Sequence, residues 1–411
     1  MREQALLNLD WLLDLFATNV ERFGGRVHWA ATAVEAASCV ARIAAADGVR
    51  VVVKSKSMLS EEIGLNRLLQ AGGLEVVETD LGEYIIQLAG EAPFHITGPA
   101  IHKSIDEIRH LFAAEAGEGI SEDPEALMAF ARSRLRSKFL SAELGVTGCN
   151  FGVASTGSVV LISNEGNARC VTTFPRTHVV LMGIERVVPD WESLDPLLTV
   201  LPRASTGASA TSYVTAITGA RRAGELDGPK ELHVVIVDNG RSRLLGSEFH
   251  KILSCIRCGA CLDYCPVYRH VGGHAYRSTY SGPIGVALTP LLFGLEESAR
   301  IVDYCTLCGA CDEICPARIP LAHYILRLRQ EAVRLGLRGA TCGAAMRAFA
   351  AATEHPTAFS AGRCVFRSKP NTDSAPSRTL IPLQVEHRFR SKPNTDSAGK
   401  PNTFRALQRN H

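Results

Sequence analysis

CIRCGACLDYCP at 255–266 and CTLCGACDEICP at 305–316 repeat one spacing, C-x2-C-x2-C-x3-C-P, and place eight thiols in two short runs. This is the run of [4Fe–4S] ligation in two-cluster ferredoxins, where the fourth cysteine of each run serves the cluster of the other. Read that way, Cys255, Cys258, Cys261 and Cys315 hold one cluster, and Cys305, Cys308, Cys311 and Cys265 hold the second. Thiolates are soft ligands suited to such iron, and Gly259 and Gly309 permit loops tight enough for three sulfurs to converge on one cube. Pro266 and Pro316 then turn the chain away. Structural zinc also uses C-x2-C pairs, but it needs neither the third cysteine nor the fourth before proline, twice over. Two [4Fe–4S] clusters are therefore the expected cofactors.

The remaining cysteines, Cys39, Cys149, Cys170, Cys342 and Cys364, have no partner spacing and read as small hydrophobes. A cytoplasmic setting is expected, because MREQALLNLDWLLDLF lacks the basic and apolar progression of a signal peptide and no apolar run reaches membrane-spanning length. That setting disfavours structural disulfides and favours metal or redox roles for clustered cysteines. With 411 residues and a net charge of +2, the chain has room for two or three domains and no charge excess that would call for nucleic acid.

Upstream of the cysteines the pattern is α/β. Leu6, Leu9, Leu13, Phe16 and Val20 recur at helical spacing until Gly24 and Gly25 end a first amphipathic helix. Short β-rich runs then alternate with capped helices, the signature of a mostly parallel sheet. Strands are predicted at 27–29, 50–54 and LEVVE 74–78, with capping boxes at Thr32/Glu35 and Ser104/Glu107. Ser60 before Glu61 and Glu62 is read as opening a further helix, and Asp123-Pro124 as opening a long one through Glu143. SVVLIS, ARCVTTF and HVVLMGIERVV are read as strands, and HVVIVD 233–238 as the last of the domain. The boundary is placed near residue 245, giving an α/β domain at 1–245 and a mainly helical cysteine domain at 246–340, in which PIGVALTPLLF and LEESARIVDY are helical stretches. Over 356–411 the decapeptide FRSKPNTDSA occurs twice, at 366–375 and 389–398, too short and polar to bury a core, so this tail is expected to be disordered.

Ligand positions in open α/β sheets lie in loops after strands. Lys54, Lys56 and Ser57 follow a buried-strand run, and Glu62 and Asn66 lie four apart on the next helix, so an anion could sit against the lysines; a solvated loop and a capped helix explain the same residues. Ser155 and Thr156 in GCNFGVASTG offer hydroxyls, although the segment matches no nucleotide-binding pattern. Arg221 and Arg222 could clamp a carboxylate, with a surface loop as the plainer reading. His270 and His274 follow the first cysteine run and are expected to pack or hydrogen-bond rather than ligate.

The segments KSKSMLSEEIGLN (54–66), DLGEYIIQLAGEAPFHITGPAIHK (80–103), GVTGCNFGVASTGSVVLISNEGNAR (145–169) and TGARRAGELDGPKELHVVIVDNGR (218–241), followed by the cysteine runs, resemble the lactate utilization protein B family over roughly residues 5–340. That resemblance implies a LUD domain similar to the sugar-phosphate isomerase and CoA-transferase fold, followed by a ferredoxin domain like those of succinate dehydrogenase and heterodisulfide reductase subunits. It also implies partners, namely the other subunits of a lactate-oxidising complex and an unidentified electron acceptor. The chain would then be an electron-transfer subunit in the oxidation of L-lactate to pyruvate, since no flavin or nicotinamide motif is visible. The competing reading is a LUD-domain enzyme acting on a small acid or sugar phosphate, with structural clusters.

Overall fold

Near-continuous apolar runs such as HVVLMG and LHVVIV belong to strands buried on both faces, which is how parallel sheets read. In the computed structural model, which describes residues 1–117, 119–355 and 357, ten strands occur among the described residues. They are β1 Arg26–Ala30, β2 Val51–Lys54, β3 Glu75–Glu78, β4 Leu144–Thr147, β5 Phe151–Val153, β6 Ser158–Ser163, β7 Thr177–Gly183, β8 Val187–Val188, β9 Tyr213–Ile217 and β10 Glu231–Val237. Six form one sheet in the order β1-β10-β7-β4-β2-β3, with every neighbouring pair parallel. A second sheet has the order β8-β5-β6-β9, antiparallel except for β5 with β8. The chain leaves β2 for β3 on one side and leaves β4 for β7 on the other, so the sheet changes direction between β2 and β4. Crevices of this kind are where open sheets bind ligands.

Both amino-terminal helices, Arg2–Leu7 and Leu9–Arg22, turn the apolar stripe inward: Leu9, Leu12, Leu13, Phe16 and Val20 share one core with Val159 and Leu161 of β6 and with Val180 and Met182 of β7. Helix Ala33–Ala46 begins where Thr32 accepts from the Glu35 amide, but the Glu35 carboxylate accepts from Ala31 rather than completing a box. Ser104 and Glu107 form the full reciprocal pair, and Asp123 caps helix Pro124–Ser141.

Beyond the incomplete Thr32/Glu35 box, three sequence expectations are corrected. Ser57, not Ser60, caps helix Met58–Glu62; Ser60 lies inside it, and Gly64 in the left-handed region separates it from helix Leu65–Ala71. ARCVTTF is helical over Asn167–Thr173 rather than a strand. LEESARIVDY gives only a short helix, Leu295–Ser298, and a turn of 3₁₀ helix at Ile301–Asp303.

The cysteine-bearing part is built around helix Gly282–Phe293, buried on nearly every side, as expected of a helix apolar all round. Ile284, Leu288 and Leu292 pack there with Leu321, Ile325 and Leu328 of helix Leu321–Arg334, and each such side chain contributes about 1.5–3 kcal/mol when fully buried. Leu6 and Ile96 from the α/β part belong to the same core. The two parts are accordingly one unit, Met1–Arg338, and a second begins at Gly339, with helix Ala340–Glu354 as its described portion. The expected disordered tail at 356–411 lies outside the described residues, apart from position 357. Among the described residues no helix is long and apolar enough to cross a membrane.

Candidate cluster centre and adjoining cavity

Both cysteine runs fold alike. Arg257 and Leu307, at the same place in each run, take left-handed backbone with φ of 60° and 57°, and Gly259 and Gly309 follow at 85° and 80°. Short helices, Ala260–Asp263 and Ala310–Ile314, carry the third cysteine of each run. This loop form points backbone amides at sulfur: Arg257 donates to Cys255 at 3.4 Å, Leu307 to Cys305 at 3.3 Å, Tyr268 to Cys265 at 3.4 Å and Ile319 to Cys315 at 3.4 Å. Amide donors of this sort tune iron–sulfur potentials.

The fourth cysteine of each run stands with the first three of the other. Burial raises the Cys258 thiol to about 11, with Cys255 and Cys315 pushing the same way, and Cys261 is raised by burial and then by Cys255, Cys258 and Cys315. Burial likewise raises Cys305, to which Cys265 and Cys308 add, and it raises Cys311 to about 12, with Asp312, Cys305 and Cys265 adding. Cys255, Cys258, Cys261 and Cys315 also line one apolar cavity. Two quartets result, and each draws on both runs.

Apart from the quartets, Glu91, His102 and His274 bring three ligand atoms within 4.8 Å of one another. Cys308 is exposed, whereas Cys258, Cys265 and Cys311 are buried. The two histidines read as non-ligands sit apart: His270 is exposed, and His274 Nε2 meets the Ala92 carbonyl oxygen at 2.8 Å, its ring against Phe94 and His102.

Above the first quartet lies a cavity of about 330 Å³. Its floor is the carboxyl-terminal edge of the parallel sheet: Ser55, Lys56 and Ser57 follow β2, Asp80 follows β3, Gly148, Cys149 and Asn150 follow β4, Glu185 and Arg186 follow β7, and Arg241 follows β10. Arg257, Cys258 and Tyr280 close it from the cysteine side. Close approach here depends on Gly148, where a Cβ would lie 2.9 Å from the Ser57 hydroxyl.

A buried charge network braces the wall. Arg241 gives Nη1 and Nη2 to Glu62 at 2.8 and 2.6 Å and sets Nε 2.9 Å from Glu185. Tyr280 and Asn239 also donate to Glu62, at 2.5 and 2.7 Å. Although burial opposes it, Arg241, Arg186 and Arg257 together hold Glu185 down at about 2. Arg2, itself buried, ties the carbonyls of Glu185, Val187 and Leu253 together.

The residues singled out from sequence divide accordingly. Lys56 and Ser57 line the cavity, with Lys56 Nζ donating to the Thr97 carbonyl at 2.7 Å. Lys54 is sealed beneath, 2.8 Å from Glu78 and 2.7 Å from the Ser60 hydroxyl, and Asn66 donates to Glu78. Glu62 faces Arg241 rather than a ligand. Ser155 is exposed and Thr156 bonds Ser158; neither lines the cavity. Arg221 donates to the Leu226 carbonyl and Arg222 lies over Phe23, both outside it. Sequence reasoning missed Asp80, Glu165, Arg186 and Arg257; the last was visible as the cation inside CIRC where the second run has leucine.

Known proteins match this arrangement along the chain. The LUD domain family matches residues 13–237, and the 4Fe-4S dicluster domain family matches residues 251–319. "Uncharacterized electron transport protein YkgF" of Escherichia coli (strain K12) is 48% identical over 362 residues, covering 88% of this chain and 76% of that protein. "Lactate utilization protein B" of Bacillus subtilis (strain 168) is 50% identical over 334 residues, 81% of this chain and 70% of that protein. The protein of that name from Shouchella clausii (strain KSM-K16) is 48% identical over 363 residues, 88% and 76%. A DUF162 family protein from Deinococcus radiodurans superposes with a TM-score of 0.32 at 15% identity over 56% of this chain and 98% of that one, too loosely to carry a structural argument.

Proposed function

The chain belongs to the lactate utilization protein B family, and from that premise we propose that it is the electron-transfer subunit of a complex that oxidises L-lactate to pyruvate. The observation that carries this reading is the exchange of the fourth cysteine between runs, which supports two [4Fe–4S] clusters held in one body. Cys255, Cys258, Cys261 and Cys315 would hold the first cluster, and Cys265, Cys305, Cys308 and Cys311 the second. When bound, such clusters accept and release electrons singly, which suits a reaction that yields two.

The chain's own residues contribute the environment. Buried thiols raised to about 11 and 12 at Cys258 and Cys311 stay protonated until iron compensates their charge, so assembly is coupled to proton release. Amide donors to Cys255, Cys265, Cys305 and Cys315 then stabilise the thiolates. Cys308 is exposed and would present the second quartet to a partner subunit, whereas Cys258 of the first quartet is buried and lines the cavity. Cytoplasmic residence and a separate acceptor protein belong to the same proposal.

The test is anaerobic co-purification with the neighbouring subunits, followed by electron paramagnetic resonance before and after L-lactate. Lactate should reduce the clusters in the assembled complex and leave them oxidised in the isolated chain. Reduction in the isolated chain would contradict a pure carrier role.

A further inference from the structure

The 330 Å³ cavity at the sheet's carboxyl edge has an unequal distribution of charge. At the cysteine end three guanidinium groups, Arg186, Arg241 and Arg257, meet two carboxylates, Glu62 and Glu185. Arg241 is spent on both acids and on the Asp238 carbonyl, and Arg186 lies 3.4 Å from Glu185 and 3.3 Å from the Cys255 carbonyl oxygen. Arg257 is different. Its Nη1 is buried with no hydrogen-bond partner, although its guanidinium is oriented firmly over the Tyr280 ring at 4.4 Å. A buried guanidinium nitrogen left unpaired is costly, so an acceptor is expected there. Elsewhere in the lining Lys56 stands near Asp80 and Glu165, with Glu83 also close, one cation to three acids.

We infer that this cavity binds a small organic anion of the hydroxycarboxylate class, its carboxylate on Arg257 beside the first cysteine quartet and its hydroxyl end toward Lys56, Ser57 and Asp80. The unpaired Nη1 calls for an acceptor such as a carboxylate oxygen, and Asp80 and Glu165 in the same lining disfavour a dianion such as phosphate. The second cysteine run supplies an internal control. Leu307 takes the place of Arg257 with the same left-handed backbone, so the loop fold itself has no need of a cation. Arginine is also the side chain suited to bidentate carboxylate recognition. Tyr280 fixes the guanidinium from below and is itself held by Glu62, which makes the Glu62 network the positioning layer of the site. A ligand so placed would be adjacent to the first cluster, with Cys258 lining the same cavity.

This site rests on the electron-carrier reading only for the identity of the neighbouring cluster, and the two can fail separately. The full chain, isolated without oxygen and assayed for iron and sulfide, is titrated calorimetrically with L-lactate, with the neutral isostere lactamide and with inorganic phosphate. Lactate is expected to bind at least tenfold more tightly than lactamide and than phosphate, and to shift the resonance of one reduced cluster. Arg257→Gln should weaken lactate binding at least tenfold with iron content unchanged, and Arg257→Lys should fall between, because the charge remains and the fork is lost. Cluster-loaded protein that gives no heat with lactate, or that prefers phosphate, overturns the assignment while leaving the carrier reading intact. So does an Arg257→Gln protein with an altered cluster resonance and unaltered lactate affinity, since the guanidinium would then serve the cluster alone. Should either variant fold poorly, the comparison of lactate with lactamide on the unmodified chain decides by itself.

Discussion

Arg241 grips both carboxylate oxygens of Glu62, at 2.8 and 2.6 Å, with side-chain exposures of 2% and 0%. The pair spans 179 positions and holds the loop after β10 to the helix after β2, and Tyr280 adds the cysteine domain to it. Removing one partner of a buried pair leaves the other charge uncompensated, at a cost of about 3–5 kcal/mol. Arg241→Met should therefore lower stability by that order, because Glu62 and Glu185 both lose their principal cation; urea unfolding of the cluster-loaded chain measures it. A loss below about 1 kcal/mol would mean the network is hydrated rather than buried.

Lys54 tests a structural role against a ligand-binding one. It is fully buried and bonded to Glu78 and Ser60, beneath the cavity instead of in it. Nearby, burial and the charge of Glu78 raise Glu83 to about 8. Lys54→Met is predicted to destabilise by about 3–5 kcal/mol, and in whatever protein folds it should leave iron content and lactate affinity unchanged. A selective loss of lactate binding at full stability would return Lys54 to the ligand site.

Cys265→Ser tests the exchange between runs. Serine preserves volume and removes the soft ligand, so the cluster of Cys305, Cys308 and Cys311 should be the one lost, with iron falling toward about four per chain. Cys315→Ser should remove the other cluster instead. Electron paramagnetic resonance of the two reduced variants distinguishes them, and loss of the sequence-adjacent cluster in each would refute the exchange.

His178 predicts an acid sensitivity. It is fully buried with Nε2 2.9 Å from the Thr147 hydroxyl, and burial lowers it to about 3 from an ordinary value near 6.5. Between those two values the unfolded chain binds a proton that the folded chain refuses, so stability is full above about pH 6.5 and falls as pH drops toward 3. From pH 6.5 to pH 5 this one residue removes about 2 kcal/mol, at about 1.4 kcal/mol per pH unit. Urea midpoints should therefore fall less steeply over that range in His178→Gln than in the unmodified chain; parallel slopes would assign the acid loss elsewhere.

Much of this was legible in the sequence because it was periodic or locally capped. Leu6 went to the core of the cysteine-bearing part and Leu9 to Val20 to the core beneath the sheet, and the apolar runs of β2, β7 and β10 became parallel strands. The errors have local causes. ARCVTTF contains β-branched Val171, Thr172 and Thr173, yet it forms a helix with Val171 packed against the sheet, a case of tertiary context overriding propensity. Ser57 and Ser60 both satisfy a capping pattern, and only the structure tells that Ser60 instead bonds inward to Lys54. Periodicity also cannot tell a buried charge from an exposed one, so Lys54 and Lys56, two residues apart, looked equivalent. The cavity drew on loops after five different strands and on Arg257 and Cys258 of the cysteine run, an assembly with no linear signature.

The most direct measurement of the central claim is the metal content of the full chain purified without oxygen, read together with its resonance after chemical reduction. The account predicts about eight iron and about eight acid-labile sulfide per chain, a brown protein, and signals from two neighbouring reduced clusters. A colourless protein carrying zinc and no sulfide would contradict it.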